Sequence, residues 1–122
     1  MKRVIFGLLI LIAGSSAKAQ LANNKWLGTL QLEQVTDIVL DFKKDTVDAI
    51  TPANGQSIET MLFTVKDNIL TLKKIVGQSE CGEIVGKYKF ELKDDSISLM
   101  LVEDECFNRA SVLDKTKWNK QK

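Results

Sequence analysis

The chain has 122 residues, 27% of them charged and 44% hydrophobic, which suits one globular domain and leaves no room for two. It contains no histidine, which removes the Ser–His and Cys–His relays and the common His-containing zinc sites. Its formal charge of +1 is no nucleic-acid footprint.

The N-terminus reads as a secretory signal. Lys2 and Arg3 form a positive start, Val4 to Ala13 an apolar core, and Ala17-Lys18-Ala19 a small-x-small site before a cut at Gln20. The apolar run is shorter than the about 20 residues that span a membrane, so no integral membrane segment is expected once residues 1–19 are cleaved. Lys2, Arg3 and Lys18 leave with the signal, so 14 of the 17 basic residues remain against 16 acidic ones, a net charge of about −2. The expected product is one domain over 20–122, exported to a periplasm or secreted.

Downstream of the signal, short β-type runs alternate with polar turns. The expected strands are 25–32, 36–43, 46–51, 58–65, 69–76, 84–93, 96–103 and 109–114, with turn signals about every ten residues. No amphipathic helical stripe stands out after Gln20.

Three hairpins follow from apolar alternation. A loop at Asp94-Asp95 sets Leu92 against Ile97, Phe90 against Leu99 and Tyr88 against Leu101, with Lys87, Lys89 and Glu91 opposite Val102, Met100 and Ser98 on the other face. A one-residue slip would scramble that sorting. A loop at Asp67-Asn68 pairs Val65 with Leu70 and Phe63 with Leu72. A loop at Lys44-Asp45 pairs Phe42 with Val47 and Leu40 with Ala49. In the first strand Trp26, Gly28, Leu30 and Leu32 share one face. The fold class is therefore all-β, an antiparallel up-and-down meander closing into a roughly eight-stranded barrel, with a β-sandwich as the alternative.

Cys81 and Cys106 are the only cysteines, and an exported protein meets an oxidising compartment. The hairpin register brings both to one end of the same hairpin, on its outward face, so a disulfide is expected. A redox dithiol would more commonly show C-x-x-C, and two cysteines without histidine make a poor metal site.

These residues resemble a small lipocalin-like protein of the calycin type. The resemblance lies in the signal peptide, the tryptophan of Lys25-Trp26-Leu27-Gly28-Thr29, the meander, and Cys106-Phe107-Asn108-Arg109 ahead of the last strand. It implies that Trp26 packs at a closed end of the barrel with Arg109 lying across it by cation–π attraction, and that the protein binds small apolar molecules.

An eight-stranded barrel is either filled by its side chains or holds one small ligand. The predicted interior comprises Trp26, Leu30, Leu32, Ile38, Leu40, Phe42, Val47, Met61, Phe63, Val65, Leu70, Leu72, Tyr88, Phe90, Leu92, Ile97, Leu99 and Leu101. In the ligand-holding case Met61, Phe63 and Phe90 line a narrow pocket with the Tyr88 hydroxyl as polar handle. Lys74, opposite Met61, either receives a ligand carboxylate or reaches water from a strand end. Glu103-Asp104-Glu105 reads as a solvated loop, with weak calcium binding the alternative. The tail from Lys115 to Lys122, with four lysines and Trp118, reads as a frayed end with Trp118 folded back, or as a surface for a membrane or anionic partner.

No nucleophile has a base partner and no phosphate loop is present, so no enzyme, cofactor or metal is expected. The expectation is a binding protein for a small hydrophobic or amphipathic molecule. The alternative is a protein-binding module with a filled core, using outward Val39, Ile50, Leu62, Ile69, Met100 and Val102.

Overall fold

The computed structural model of the chain describes residues 18–121. The expected signal segment falls mostly outside the described residues. The elements are β1 (Lys25–Gln31), β2 (Val35–Phe42), β3 (Thr46–Thr51), β4 (Gln56–Lys66), β5 (Ile69–Gly77), β6 (Val85–Lys93), β7 (Ser96–Asp104), the helix α1 (Phe107–Leu113) and β8 (Thr116–Lys120). Every strand pairs antiparallel with its neighbour in sequence, and β8 returns to β1, so the sheet is a closed barrel and not a sandwich. Closure removes the unpaired edges that an open eight-stranded sheet would expose.

The three expected hairpins form in the expected registers. Phe42 pairs with Val47 and Leu40 with Ala49; Phe63 pairs with Leu72 and Val65 with Leu70; Tyr88 pairs with Leu101, Phe90 with Leu99 and Leu92 with Ile97. The apolar parity of these strands is satisfied in no other register. The expected pairing of Lys87 with Val102 does not form. A bulge shifts the β6–β7 register between Lys87 and Tyr88, so Lys87 faces Glu103 and Gly86 faces Asp104.

The eighth strand lies elsewhere than expected. Residues 109–114 belong to α1 and its C-terminal cap, and the closing strand is Thr116–Lys120, in the stretch expected to fray. Arg109, Ala110 and Leu113 are the buried positions of α1, the spacing of one helix face. In β8 the alternation is plain, with Trp118 buried between exposed Lys117 and Asn119. Lys115, at φ 63°, turns the chain from α1 into β8, and its N–H donates to the Leu99 carbonyl at 3.0 Å.

Most of the predicted interior is buried. Leu32 is the exception, 38% exposed in the turn after β1, and Val65, Leu92 and Leu101 are half-buried. Leu21, Ala49, Ala110, Leu113 and Trp118 add to the core. Residues 18–21 are helical and cross one end of the barrel, where Leu21 is fully buried and the Lys18 ammonium sits 5.5 Å from the centre of the Phe63 ring. Phe63 in turn meets Phe42 edge to face, with ring centres 4.9 Å apart. Of the outward apolar set, Leu62, Met100 and Val102 are exposed, Ile50 and Ile69 are half-buried, and Val39 is buried. No described helix is long and apolar enough to cross a membrane.

Trp118 completes the core only because β1 offers no side chain at Gly28. A Cβ there would stand 2.5 Å from Trp118 Cε3, and the indole, with no exposed surface, has nowhere to move. Gly28→Ala is therefore expected to lower stability by about 1–3 kcal/mol, the usual cost of overpacking a filled core. Urea unfolding followed by tryptophan fluorescence reads this loss; an unchanged midpoint would contradict the packing.

Candidate functional site: a cleft at the helix end of the barrel

Hairpin turns alternate between the two ends of an up-and-down barrel. The turns at 43–45, 67–68 and 94–95 share the end crossed by residues 18–21, and that end is packed shut. The turns at 32–34, 52–55 and 78–84 share the other end with α1. Here the interior opens into a cleft of about 850 Å³. Leu30, Leu40, Ala49 and Met61, all buried, supply its apolar floor. Gln31 from β1, Glu33 and Gln34 from the β1–β2 turn, Thr36 from β2, Gln78 and Ser79 from the β5–β6 connection, and Asn108 and Ser111 from α1 supply polar groups. Val112, Leu113 and Arg109 complete the α1 side.

The wall at α1 is held by one carboxylate. The bulge adds Val102 to β7, so Asp104, outward in an unbroken ladder, turns inward opposite Gly86. Its side chain is fully buried. The Tyr88 hydroxyl donates to Asp104 Oδ2 at 2.5 Å, and Arg109 Nε donates to the same oxygen at 2.6 Å. Arg109 Nη2 and the Cys106 N–H donate to Oδ1, each at 2.9 Å. Arg109 Nη2 also reaches the Ile84 carbonyl at 2.8 Å. Gly86 makes room for this assembly, since a Cβ there would lie 2.4 Å from Asp104 Oδ2 and 3.0 Å from Arg109 Nε. The expectation of a solvated Glu103-Asp104-Glu105 loop is thus corrected at Asp104, because the bulge reverses its side.

The electrostatics follow from these contacts. Burial pushes the Asp104 carboxyl up, but the hydrogen bonds from Arg109, Tyr88 and the Cys106 N–H outweigh it and hold the group below its ordinary value. Burial works against the charged Arg109 as well, and Asp104 more than restores it. Tyr88 is raised far above an ordinary phenol, first by burial and then by its bond to the Asp104 carboxylate.

The Cys81–Cys106 disulfide forms as expected, with Cα atoms 5.1 Å apart. It ties the 78–84 connection to the start of α1. The expectation that both cysteines point outward is corrected: they are 2% and 5% exposed. Cys81 precedes β6 and Cys106 caps α1, so strand parity does not govern either side chain.

Of the residues expected to contact a ligand, Met61 lines the cleft. Phe63, Phe90 and Tyr88 are buried in the packed core and outside the cleft lining. Lys74 pairs with Met61 across the strands as expected and is half-buried, with its ammonium donating to the Ser79 carbonyl. Trp26 and Arg109 do not form a closing pair. Trp26 is the second residue of β1, at the packed end, whereas Arg109 rises from α1 at the opposite end and is taken up by Asp104. Sequence reasoning missed Asp104 and the cleft residues of α1. The available signal was the spacing Asp104-x-Cys106-x-x-Arg109, with acid and base ends flanking a bridged cysteine. Compared with known protein families, curated proteins and solved structures, the chain matches none.

Two outcomes are expected from the carboxylate network. Asp104→Ala should destabilise by about 3–5 kcal/mol, because it strands a buried guanidinium and a buried phenol; a loss below about 1 kcal/mol would contradict the assignment. Tyr88 is the only tyrosine, so ultraviolet absorbance reports it alone. Its raised folded value means that its contribution is intact below the ordinary phenol value of 10.0 and is lost as pH rises beyond it. Phenolate absorbance should appear only together with unfolding, and Tyr88→Phe should flatten the alkaline fall in stability. Ionisation near pH 10 in folded protein would contradict the burial.

Proposed function

We propose that this is an exported, lipocalin-like binding protein without catalytic activity, which takes a small amphipathic molecule into the cleft beside α1. The observation that carries the reading is the cleft itself. Its volume of about 850 Å³ lies in the range of small-molecule sites. Its floor is aliphatic and its rim carries amides and hydroxyls, a division suited to a ligand with an apolar end and a polar end. Export is supported by the signal-like N-terminus and agrees with a disulfide between the only two cysteines. The lipocalin-like reading is supported by the closed eight-stranded meander.

The second reading, a protein-binding module, draws on apolar side chains left on the surface. Phe107 is 82% exposed, and Val76, Met100 and Val102 each exceed half exposure.

Native mass spectrometry of protein purified from an exported preparation without detergent tests the first reading. A reproducible added mass, released by organic extraction, is expected on the wild type. Ala49→Phe fills the floor and should abolish that mass while circular dichroism stays that of the barrel. A bare wild type after incubation with a lipid extract would overturn ligand binding and leave the surface reading.

A further inference from the structure

We propose that Phe107 anchors a protein–protein contact, with a partner that offers an apolar pocket rimmed by lysine or arginine side chains. The proposal gives the surface reading a specific site and a partner chemistry, and it stands whether or not the cleft holds a ligand.

The first support is the display of Phe107. At 82% exposure it is the most exposed large hydrophobic side chain among the described residues. Single apolar side chains on a surface are ordinary. This one stands on a backbone tethered on both sides. The preceding Cys106 is bonded to Cys81, and its N–H donates to the buried Asp104 carboxylate at 2.9 Å. Two residues on, Arg109 is held by Asp104 and by the Ile84 carbonyl. An aromatic side chain on an immobilised backbone can enter a pocket with little further loss of chain entropy, which is the property of a binding hot spot. The same tethers bring the 78–84 connection to α1, so exposed Ile84 and Val85 share this end of the barrel with Phe107.

The second support is charge. The tethered segments, 78–85 and 103–109, contain Glu80, Glu83, Glu103 and Glu105, all exposed, and no lysine. Their one cation, Arg109, is buried and matched by Asp104. Glu80 and Glu105 each immediately precede a bridged cysteine, so the two bracket the disulfide beside Phe107. Neither has an ion-pair partner among the described residues. The adjoining strands supply three lysines. Lys73 lies 3.7 Å from Glu83, Lys87 faces Glu103 in register, and the Lys74 ammonium donates to the Ser79 carbonyl. With Glu59, which accepts from Ser79, five carboxylates meet three ammonium groups around the disulfide, a net charge of −2. An apolar anchor in an acidic field is complementary to a basic rim around an apolar pocket. An anionic lipid surface would be repelled, and a second copy presenting the same end would set glutamate against glutamate.

The test places a photoreactive side chain at the anchor. The full chain carrying Phe107→p-benzoylphenylalanine is made in the cells that produce the protein and irradiated, and adducts are identified by mass spectrometry. The same substitution at Asn68, in a turn of the packed end, is the control. A protein adduct specific to position 107 is expected. That protein, purified, should bind the wild type, and Phe107→Ala should weaken the complex about tenfold or more. Added salt should weaken it, and Glu80→Gln with Glu105→Gln should slow association. Ala49→Phe, which fills the cleft, should leave capture unchanged, so failure of the cleft reading does not carry this one with it. Phe107→Ala should also keep the wild-type urea midpoint, because the side chain lies in solvent. A lowered midpoint would overturn the proposal by making Phe107 a packing residue. Adducts with lipid alone or with a second copy would overturn it in favour of a membrane or a homodimer. No adduct beyond that of the control, or a captured protein that binds Phe107→Ala undiminished or binds more tightly in salt, would overturn it outright.

Discussion

The buried Asp104 carboxylate is the constraint on which the helix end of this barrel depends. It accepts from β6 through Tyr88, from the start of α1 through the Cys106 N–H, and from within α1 through two nitrogens of Arg109. A buried ion pair contributes little net stability compared with apolar residues of the same volume, yet breaking one is costly. Its consequence here is positional. Four donors converging on two oxygens admit few placements of α1. The disulfide at Cys106 fixes the same helix end to the 78–84 connection. Hydrogen bonding and covalent bonding thus locate one short helix that has no side-chain N-cap of its own.

That helix accounts for the difference between the two ends. At the packed end, tight turns bring strands together and residues 18–21 add the fully buried Leu21 to the core that contains the Phe42–Phe63 pair. At the other end, β7 and β8 are joined through α1 and not by a tight turn, and the helix stands beside the mouth. The barrel is therefore filled over part of its length and open over the rest. The alternatives of a solid core and a ligand pocket do not exclude each other here. Tyr88, Phe63 and Phe90 belong to the solid part, and Met61 lies at the boundary.

Strand pairing was legible in the sequence wherever one face is consistently apolar. Phe42, Leu40, Phe63, Phe90 and Leu92 each have a single apolar partner at the right distance across a short turn, and period-two alternation then determines the register. What escaped was whatever breaks that period. The extra residue at Val102 leaves no mark in hydropathy, because Val102 suits either side of a bulge, and yet it turns Asp104 from solvent to core. The segment 109–114 is short and apolar enough to imitate a strand, and its helical face appears only when Arg109 is counted as buried. An arginine is buried at such a place when a carboxylate is waiting, and that carboxylate was hidden by the same bulge. β8 was obscured by its lysines, whose charged ends lie in solvent while Trp118 fills the space above Gly28.

The bulge that hid Asp104 and, with it, the buried face of α1 is also the origin of the candidate site. A meander of apolar-faced strands produces a closed hydrocarbon interior with no use for polar groups. Polarity enters this one through a register shift in β7, which presents a carboxylate, and through a helix in the following connection, which presents a guanidinium. A bare charge of either sign would be expelled from such an interior by its desolvation cost. Together they are tolerated, and the fork of the guanidinium leaves Nη1 over after both carboxylate oxygens have been served. A barrel built only from ideal hairpins would have closed this end with a tight turn, without Arg109 and without the side of the cleft that α1 supplies. The departure from strand periodicity is thus what converts a packed core into a barrel with a cleft at one mouth.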